Sequence, residues 1–213
     1  MRNALTQNIV NRKTTQIAGL QQLISLSGLF LTLFFLLSAC GTGSQQADQT
    51  EDANTGQNAD EKTNNGATAK MEAASGSNVT GEAKFTDQGG SVRFELTVEN
   101  LTPGEHAVHL HEKGDCSAED ASSAGGHWNP TMKPHGKRGD GTSYHKGDIG
   151  NMNVGQDGKG TMTLTVQGWS IGGADSTNVV GKSVIVHEKA DDFTSQPAGN
   201  AGARLSCGVI KAD

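Results

Sequence analysis

Val92, Phe94, Leu96 and Val98 alternate with Arg93, Glu95, Thr97 and Glu99, the period-two pattern of a strand with one face buried and the other in solvent. The same alternation runs through Val79, Gly81, Ala83 and Phe85 against Thr80, Glu82, Lys84 and Thr86, and through Met162, Leu164 and Val166 against Thr161, Thr163 and Thr165. Gly-rich turns separate these runs, as in Asp87-Gln88-Gly89-Gly90 and Gln156-Asp157-Gly158-Lys159-Gly160. No helical stripe of apolar positions follows residue 39, so the pattern predicts an all-β antiparallel sandwich or barrel. Two stretches, 112 to 148 and 188 to 203, show no strand pattern. Irregular loops of that length inside a compact domain usually carry function.

The first 39 residues carry Arg2, Arg12 and Lys13, no acid, and an apolar run from Leu23 to Leu37. This predicts an export signal over residues 1 to 39; as a membrane anchor the run is short of the about 20 residues a spanning helix needs. Leu37-Ser38-Ala39-Cys40-Gly41 resembles the lipobox of bacterial lipoproteins, which implies lipid on Cys40 and an address on the outer side of a bacterial membrane or in the periplasm. Residues 40 to 69 are rich in Asn, Asp, Gln and Thr with almost nothing apolar beyond alanine, too little to offset ordering entropy, and predict a disordered tether. Residues 70 to 213 then have the length of one domain.

Charge narrows the partners. After the signal, 14 basic and 23 acidic residues remain, and an acidic chain lacks the basic face that nucleic acid requires. With Cys40 assigned to lipid, Cys116 and Cys207 are the only other cysteines, so an exported domain has one disulfide available to it.

All seven histidines fall between positions 106 and 187, in the segments Gly104 to His111, Gly125 to Pro130, Lys133 to Asp148 and Val186 to Asp192. Imidazole is the commonest protein ligand for copper and zinc. His109 and His111 sit two apart on an apparent strand, so they share a face while Val108 and Leu110 take the other. His187, ending the run Val184-Ile185-Val186, could supply a third nitrogen and His127 a fourth, a set suited to Cu(II). His135, His145 and Asp148, with His127, offer three nitrogens and a carboxylate oxygen, which suits a closed zinc site. Two four-coordinate sites need eight places from seven residues, so His127 would serve both as a bridging imidazolate.

His-Ala-Val-His-Leu-His, Ser-Ala-Gly-Gly-His-Trp-Asn-Pro, His-Lys-Gly-Asp-Ile-Gly-Asn, Val-His-Glu-Lys-Ala-Asp-Asp and Gly-Asn-Ala-Gly-Ala-Arg-Leu-Ser-Cys-Gly-Val-Ile occur in that order. In order and spacing the chain resembles the copper/zinc superoxide dismutases over about residues 70 to 211. The resemblance implies an eight-stranded Greek-key barrel with two long functional loops, an architecture related to the β-sandwiches. It implies copper on His109, His111, His127 and His187, zinc on His127, His135, His145 and Asp148, and His127 as the catalytic bridge between them. The activity implied is dismutation of superoxide to dioxygen and hydrogen peroxide by redox-cycling copper, with zinc structural. Arg204 matches the arginine that orients the anion, Asp191 the carboxylate joining ring nitrogens of His109 and His135, and Cys116 and Cys207 the disulfide pair. His106 takes no ligand position and is assigned a structural hydrogen bond between loops; Glu188, Lys189 and Asp192 read as solvated charges.

The chain also departs from that family. Phe193 to Ala203 is shorter than the charged guiding loop of the eukaryotic enzymes and holds no lysine, which leaves Arg204 and the metals as the sources of attraction for the anion. The resemblance leaves monomer and homodimer both open. A metal reservoir and a cell-surface interaction module are the competing functions; a complete copper set with Arg204 favours the enzyme.

Overall fold

The computed structural model describes residues 66 to 213. Among these residues there is no α-helix, and the strands are β1 (Gly66–Ala73), β2 (Thr80–Asp87), β3 (Ser91–Glu99), β4 (Gly104–His111), β5 (Asp148–Val154), β6 (Gly160–Gln167), β7 (Ser183–His187), β8 (Arg204–Val209) and the short β9 (Lys211–Ala212). Their order is β2-β3-β6-β5-β4-β7-β8-β1, and pairing of β1 with β2 closes the barrel, while β9 adds a two-residue pairing to β1. Every strand pair is antiparallel. The connections β3 to β4 and β6 to β7 each skip two strands, giving the Greek-key path that the resemblance implies.

The alternating runs fill the barrel as their parity requires. Phe85 pairs with Phe94 across β2 and β3 with ring centroids 5.1 Å apart, and Trp169 meets both rings from the end of β6. Phe94, Leu96 and Val92 face Leu164, Met162 and Val166 of β6 in register. Val108 and Leu110 of β4 and Val184 and Val186 of β7 join the same core. Side chains of this size contribute about 1.5 to 3 kcal/mol each when fully buried, so the barrel is held mainly by its interior and its outer face is free to carry chemistry.

The barrel begins earlier than the sequence implies. Gly66 to Ala69, read as the end of the tether, form the first half of β1, with Ala67 and Ala69 each 1% exposed. Alanine and glycine contribute little to an apolar pattern, and the strand signal there is correspondingly faint. The proposed signal, the lipidation site Cys40 and the rest of the tether lie outside the described residues.

Both irregular stretches are long loops, 112 to 147 between β4 and β5 and 188 to 203 between β7 and β8. They cover the outward faces of those strands, so β4 is buried on both sides from His106 onward. A short 3-10 turn, Ser122–Ala124, lies in the first loop. Ala121, Ala124, Ile185, Ala74 and Cys207 form a small apolar cluster between loop and barrel wall, with Cys116 packed against it. There Cys116 and Cys207 are joined in a disulfide, their Cα atoms 5.8 Å apart and 91 positions apart in sequence.

Candidate metal centre

Strand register brings the histidines together. His109 lies opposite Asp148, the first residue of β5, His187 lies opposite Arg204 of β8, and an isolated bridge sets His111 against His127. Irregularities in pairing fall at Val108/His109 and at Val186/His187. Such bulges re-aim side chains and gather at functional sites. His109 and His111 leave the outer face of β4, opposite to Val108 and Leu110 in the core, as their spacing predicts.

Two groups of ligand-type atoms result, each with its members within 4.8 Å of one another: His109, His111, His127 and His187 in one, and His127, His135, His145 and Asp148 in the other. All seven residues are buried. Every residue expected at a metal is therefore brought to a cluster, and His127 belongs to both.

The hydrogen bonds fix which nitrogen each ring offers. His111 Nδ1 lies 2.9 Å from the Gly125 carbonyl oxygen, which can only accept, so Nδ1 carries the proton and Nε2 keeps its lone pair. His109 Nε2 lies 2.8 Å from Asp191 Oδ2 and His135 Nε2 2.9 Å from Asp191 Oδ1, which leaves Nδ1 of each ring turned inward. His127 Nδ1 approaches Asp148 Oδ1 at 2.8 Å and His145 Nδ1 at 3.4 Å, so its Nδ1 faces the second group and its Nε2 the first. His135 Nδ1 is 3.0 Å from Asp148 Oδ2, though not aligned as a hydrogen bond.

Among the described residues, five buried side-chain nitrogens have no hydrogen-bond partner: His109 Nδ1, His111 Nε2, His127 Nε2, His187 Nε2 and His135 Nδ1. A buried polar atom without a partner costs free energy of roughly 1 to 3 kcal/mol. Four of the five converge in the first group and the fifth points into the second. Divalent copper and zinc would satisfy these lone pairs, so the residues fit both ions.

Electrostatics favours the same occupants. Burial pushes the imidazoles of His111 and His187 well below the ordinary histidine value, helped by neighbouring His127. Burial also carries His127 down to about 4 against the opposing pull of Asp148. These rings are neutral at pH 7, the form that binds metal. Burial would raise Asp148, but the hydrogen bond with His127, the adjacent imidazoles of His135 and His145 and the His145 backbone N–H hold it well below the usual carboxylate range. For His135 burial is outweighed by the carboxylates of Asp148 and Asp191, which lift it to about 9; the excess positive charge that it draws there is what a cation would replace.

The remaining expected residues occupy supporting positions. Arg204 donates from Nη1 to Ala121 O at 2.7 Å and from Nη2 to Gly125 O at 2.8 Å. His106 is held between His187 O at 2.8 Å and Thr102 O at 2.9 Å, tying the start of β4 to the β7 end. Glu188, Lys189 and Asp192 are exposed. Asp192 nonetheless accepts hydrogen bonds from Thr194 N and Ser195 N, which turn the loop.

Three features escape sequence reasoning. Asn151 on β5 pairs with the backbone of Asp191, accepting from its N at 2.7 Å and donating to its O at 3.0 Å. Gln196 does the same to His135, with distances of 2.8 and 2.9 Å. Gly199, at φ 63°, packs so closely that a Cβ there would stand 1.8 Å from Asp191 Oδ1. A carboxamide has no spacing signature, and only the folded loop reveals these contacts.

Residues 79–210 match the family model described as copper/zinc superoxide dismutase. The chain is 35% identical over 147 residues to the superoxide dismutase [Cu-Zn] of Deinococcus radiodurans, covering 63% of this chain and 78% of the relative. It is 36% identical over 133 residues to the superoxide dismutase-like protein YojM of Bacillus subtilis, covering 61% of this chain and 67% of the other. With the extracellular superoxide dismutase [Cu-Zn] of Caenorhabditis elegans the identity is 37% over 136 residues, covering 61% and 60%. Among solved structures, that of the clock protein EA4 superposes with a TM-score of 0.62 at 34% identity, covering 71% of this chain and 96% of that one. Barrel, paired histidine groups and matched sequence agree, and the chain belongs to the copper/zinc superoxide dismutase family.

Proposed function

We propose that this protein dismutates superoxide outside the cytoplasm, held to a membrane by lipid on Cys40. His109 Nδ1 with Nε2 of His111, His127 and His187 would hold copper, and His127, His135, His145 and Asp148 would hold zinc. The observation that carries the reading is the convergence of four buried, unpartnered imidazole nitrogens on one point beside Arg204.

When bound, copper supplies a one-electron Cu(II)/Cu(I) couple and zinc a fixed charge without redox chemistry. Over a full cycle two superoxide anions and two protons give one dioxygen and one hydrogen peroxide, so charge and atoms balance. Arg204 attracts and orients the anion, its guanidinium held by the carbonyls of Ala121 and Gly125. His127 Nε2 is the atom suited to carry a proton toward the reduced product, since Nδ1 is committed to the other group. Asp191 fixes the rings of His109 and His135 and with them the spacing of the two centres.

Export is supported by the basic and apolar leader, the Cys40 context and the Cys116–Cys207 disulfide. Two acyl chains suffice for stable anchoring, each buried methylene adding about 0.8 kcal/mol.

The test of the enzyme is superoxide turnover by the purified protein carrying one copper and one zinc, with the stoichiometry read by native mass spectrometry. A loaded protein without turnover would leave only metal storage. A single metal per chain, or undiminished zinc retention in His135→Ala, would remove the two-site arrangement. For the anchor, Cys40→Ala should yield an unprocessed precursor or a soluble product; fractionation and migration like wild type would refute lipidation.

A further inference from the structure

We propose that Gln196 is a positioning residue whose carboxamide transmits the state of the zinc site to the wall of the cavity that opens on His187. The inference rests on the metal-site reading above.

The geometry is specific. Gln196 Oε1 accepts from His135 N at 2.8 Å and Gln196 Nε2 donates to His135 O at 2.9 Å. One side chain thus satisfies both backbone groups of His135, as a neighbouring strand would. His135 offers its Nδ1 to the second metal group. On its other side, the Gln196 segment forms one wall of a cavity of about 280 Å³ lined by His187, Pro197, Asn200 and Gly202 among others. A residue of the first metal group and a backbone clamp on the second therefore line one cavity.

This connection is separate from Asp191. The carboxylate links the two centres through ring nitrogens of His109 and His135; toward the loop it accepts a hydrogen bond from Phe193 N and packs against Gly199, with no hydrogen bond to residues 195 to 202. Gln196 links the backbone of His135 to the segment 195 to 202, all of which except Gly199 lines the cavity. A metal that fixes His135 through Nδ1 would thereby fix Gln196, and the entrance beside His187 with it. Gln196 is itself exposed, so shortening it opens no hole in the core.

The test is amide hydrogen exchange of the full-length mature protein, followed by mass spectrometry, with and without one equivalent of zinc and no copper. In wild type, zinc should slow exchange in peptides covering 133 to 148 and also in those covering 195 to 202. Gln196→Ala and the equal-length Gln196→Met should keep the first effect. They should lose the second by about tenfold, the order expected from two hydrogen bonds. A simple loss of folding would abolish both effects together and would overturn the specific role, as would retained zinc protection of 195 to 202 in both variants. Zinc protection limited to 133 to 148 in wild type would also overturn it. Failure of wild type to bind zinc at all would instead refute the metal-site reading, and is separately visible as absent protection at 133 to 148.

Discussion

His111 and Arg204 donate to the same acceptor, the carbonyl oxygen of Gly125, at 2.9 and 2.8 Å. One carbonyl therefore sets the tautomer of His111 and the position of the Arg204 guanidinium. Gly125 itself stands at φ 77°, and a Cβ there would lie 2.5 Å from Glu112 Oε1, so the carbonyl's direction depends on glycine at this position.

From this follows the behaviour of Arg204 variants. Arg204→Glu reverses the local charge and removes both carbonyl bonds. We expect turnover to fall by at least about tenfold, since hydrogen bonds to a charged group, here partly buried, are typically worth about 1.5 kcal/mol or more. Copper content should change little, because Arg204 is not in either ligand group. Arg204→Lys keeps the charge but cannot fork to two carbonyls, and should recover only part of the rate. Steady-state dismutation with metal analysis on each variant checks this; equal rates for Arg204→Glu and wild type at low salt would exclude the guiding role.

Asp191 accepts from His109 and His135 with its two oxygens. Asp191→Asn preserves shape but turns an N–H₂ toward one of the two ring N–H groups, so one link must break. Loss of such an orienting partner typically costs about 10- to 100-fold in metal affinity. We expect that loss for zinc in a chelator competition assay. Unchanged zinc affinity would mean that His135 is held by Gln196 and the loop alone.

How far the sequence foretold these contacts depended on the kind of signal. Period-two runs made β2, β3 and β6 legible because each presents one buried and one wet face. The ligand groups were legible because His109 and His111 share strand parity, His127, His135 and His145 sit in one patternless stretch, and His187 ends a strand beside the other. β5 was not, since Gly150 and Asn151 interrupt its apolar pattern where Asn151 turns to clamp Asp191. The start of β1 is faint in the sequence because alanines supply its buried face. Backbone acceptors such as Gly125 O have no side-chain identity, and nothing in a sequence marks them.

The disulfide should matter more for holding the first loop than for chemistry. It ties Cys116 to β8 three residues after Arg204, across 91 positions. Loop-closure entropy for a span of that size gives about 4 to 5 kcal/mol as an upper figure. Cys116→Ser with Cys207→Ser should therefore lower the melting temperature of the metal-free protein strongly. Turnover of whatever remains folded should drop less than in Arg204→Glu, because the Arg204 bonds to Ala121 and Gly125 persist. Calorimetry under non-reducing conditions tests the first expectation, and a melting temperature equal to wild type would contradict it.

The pH dependence of the metal-free protein distinguishes the two histidine environments. Burial lowers His127 to about 4, so between that value and the unfolded one near 6.5 the unfolded state binds more protons. Stability there falls as pH falls; His111 and His187, lowered for the same reason, act in the same direction. For His135 burial is overcome by Asp148 and Asp191, and the ring is raised to about 9. Its folded state keeps a proton that the unfolded chain has released, so its contribution is full below about 6.5 and is lost as pH rises through about 9. Melting temperature should consequently peak near pH 6.5 and decline on both sides. Zinc replaces the proton on His135 Nδ1, so loading should erase the alkaline decline and steepen the acid one, where ligands must release metal to take up protons. Scans of melting temperature from about pH 4 to 10 on both forms read this directly. An alkaline limb that is flat without metal, or unchanged by zinc, would show that His135 does not hold its proton between Asp148 and Asp191.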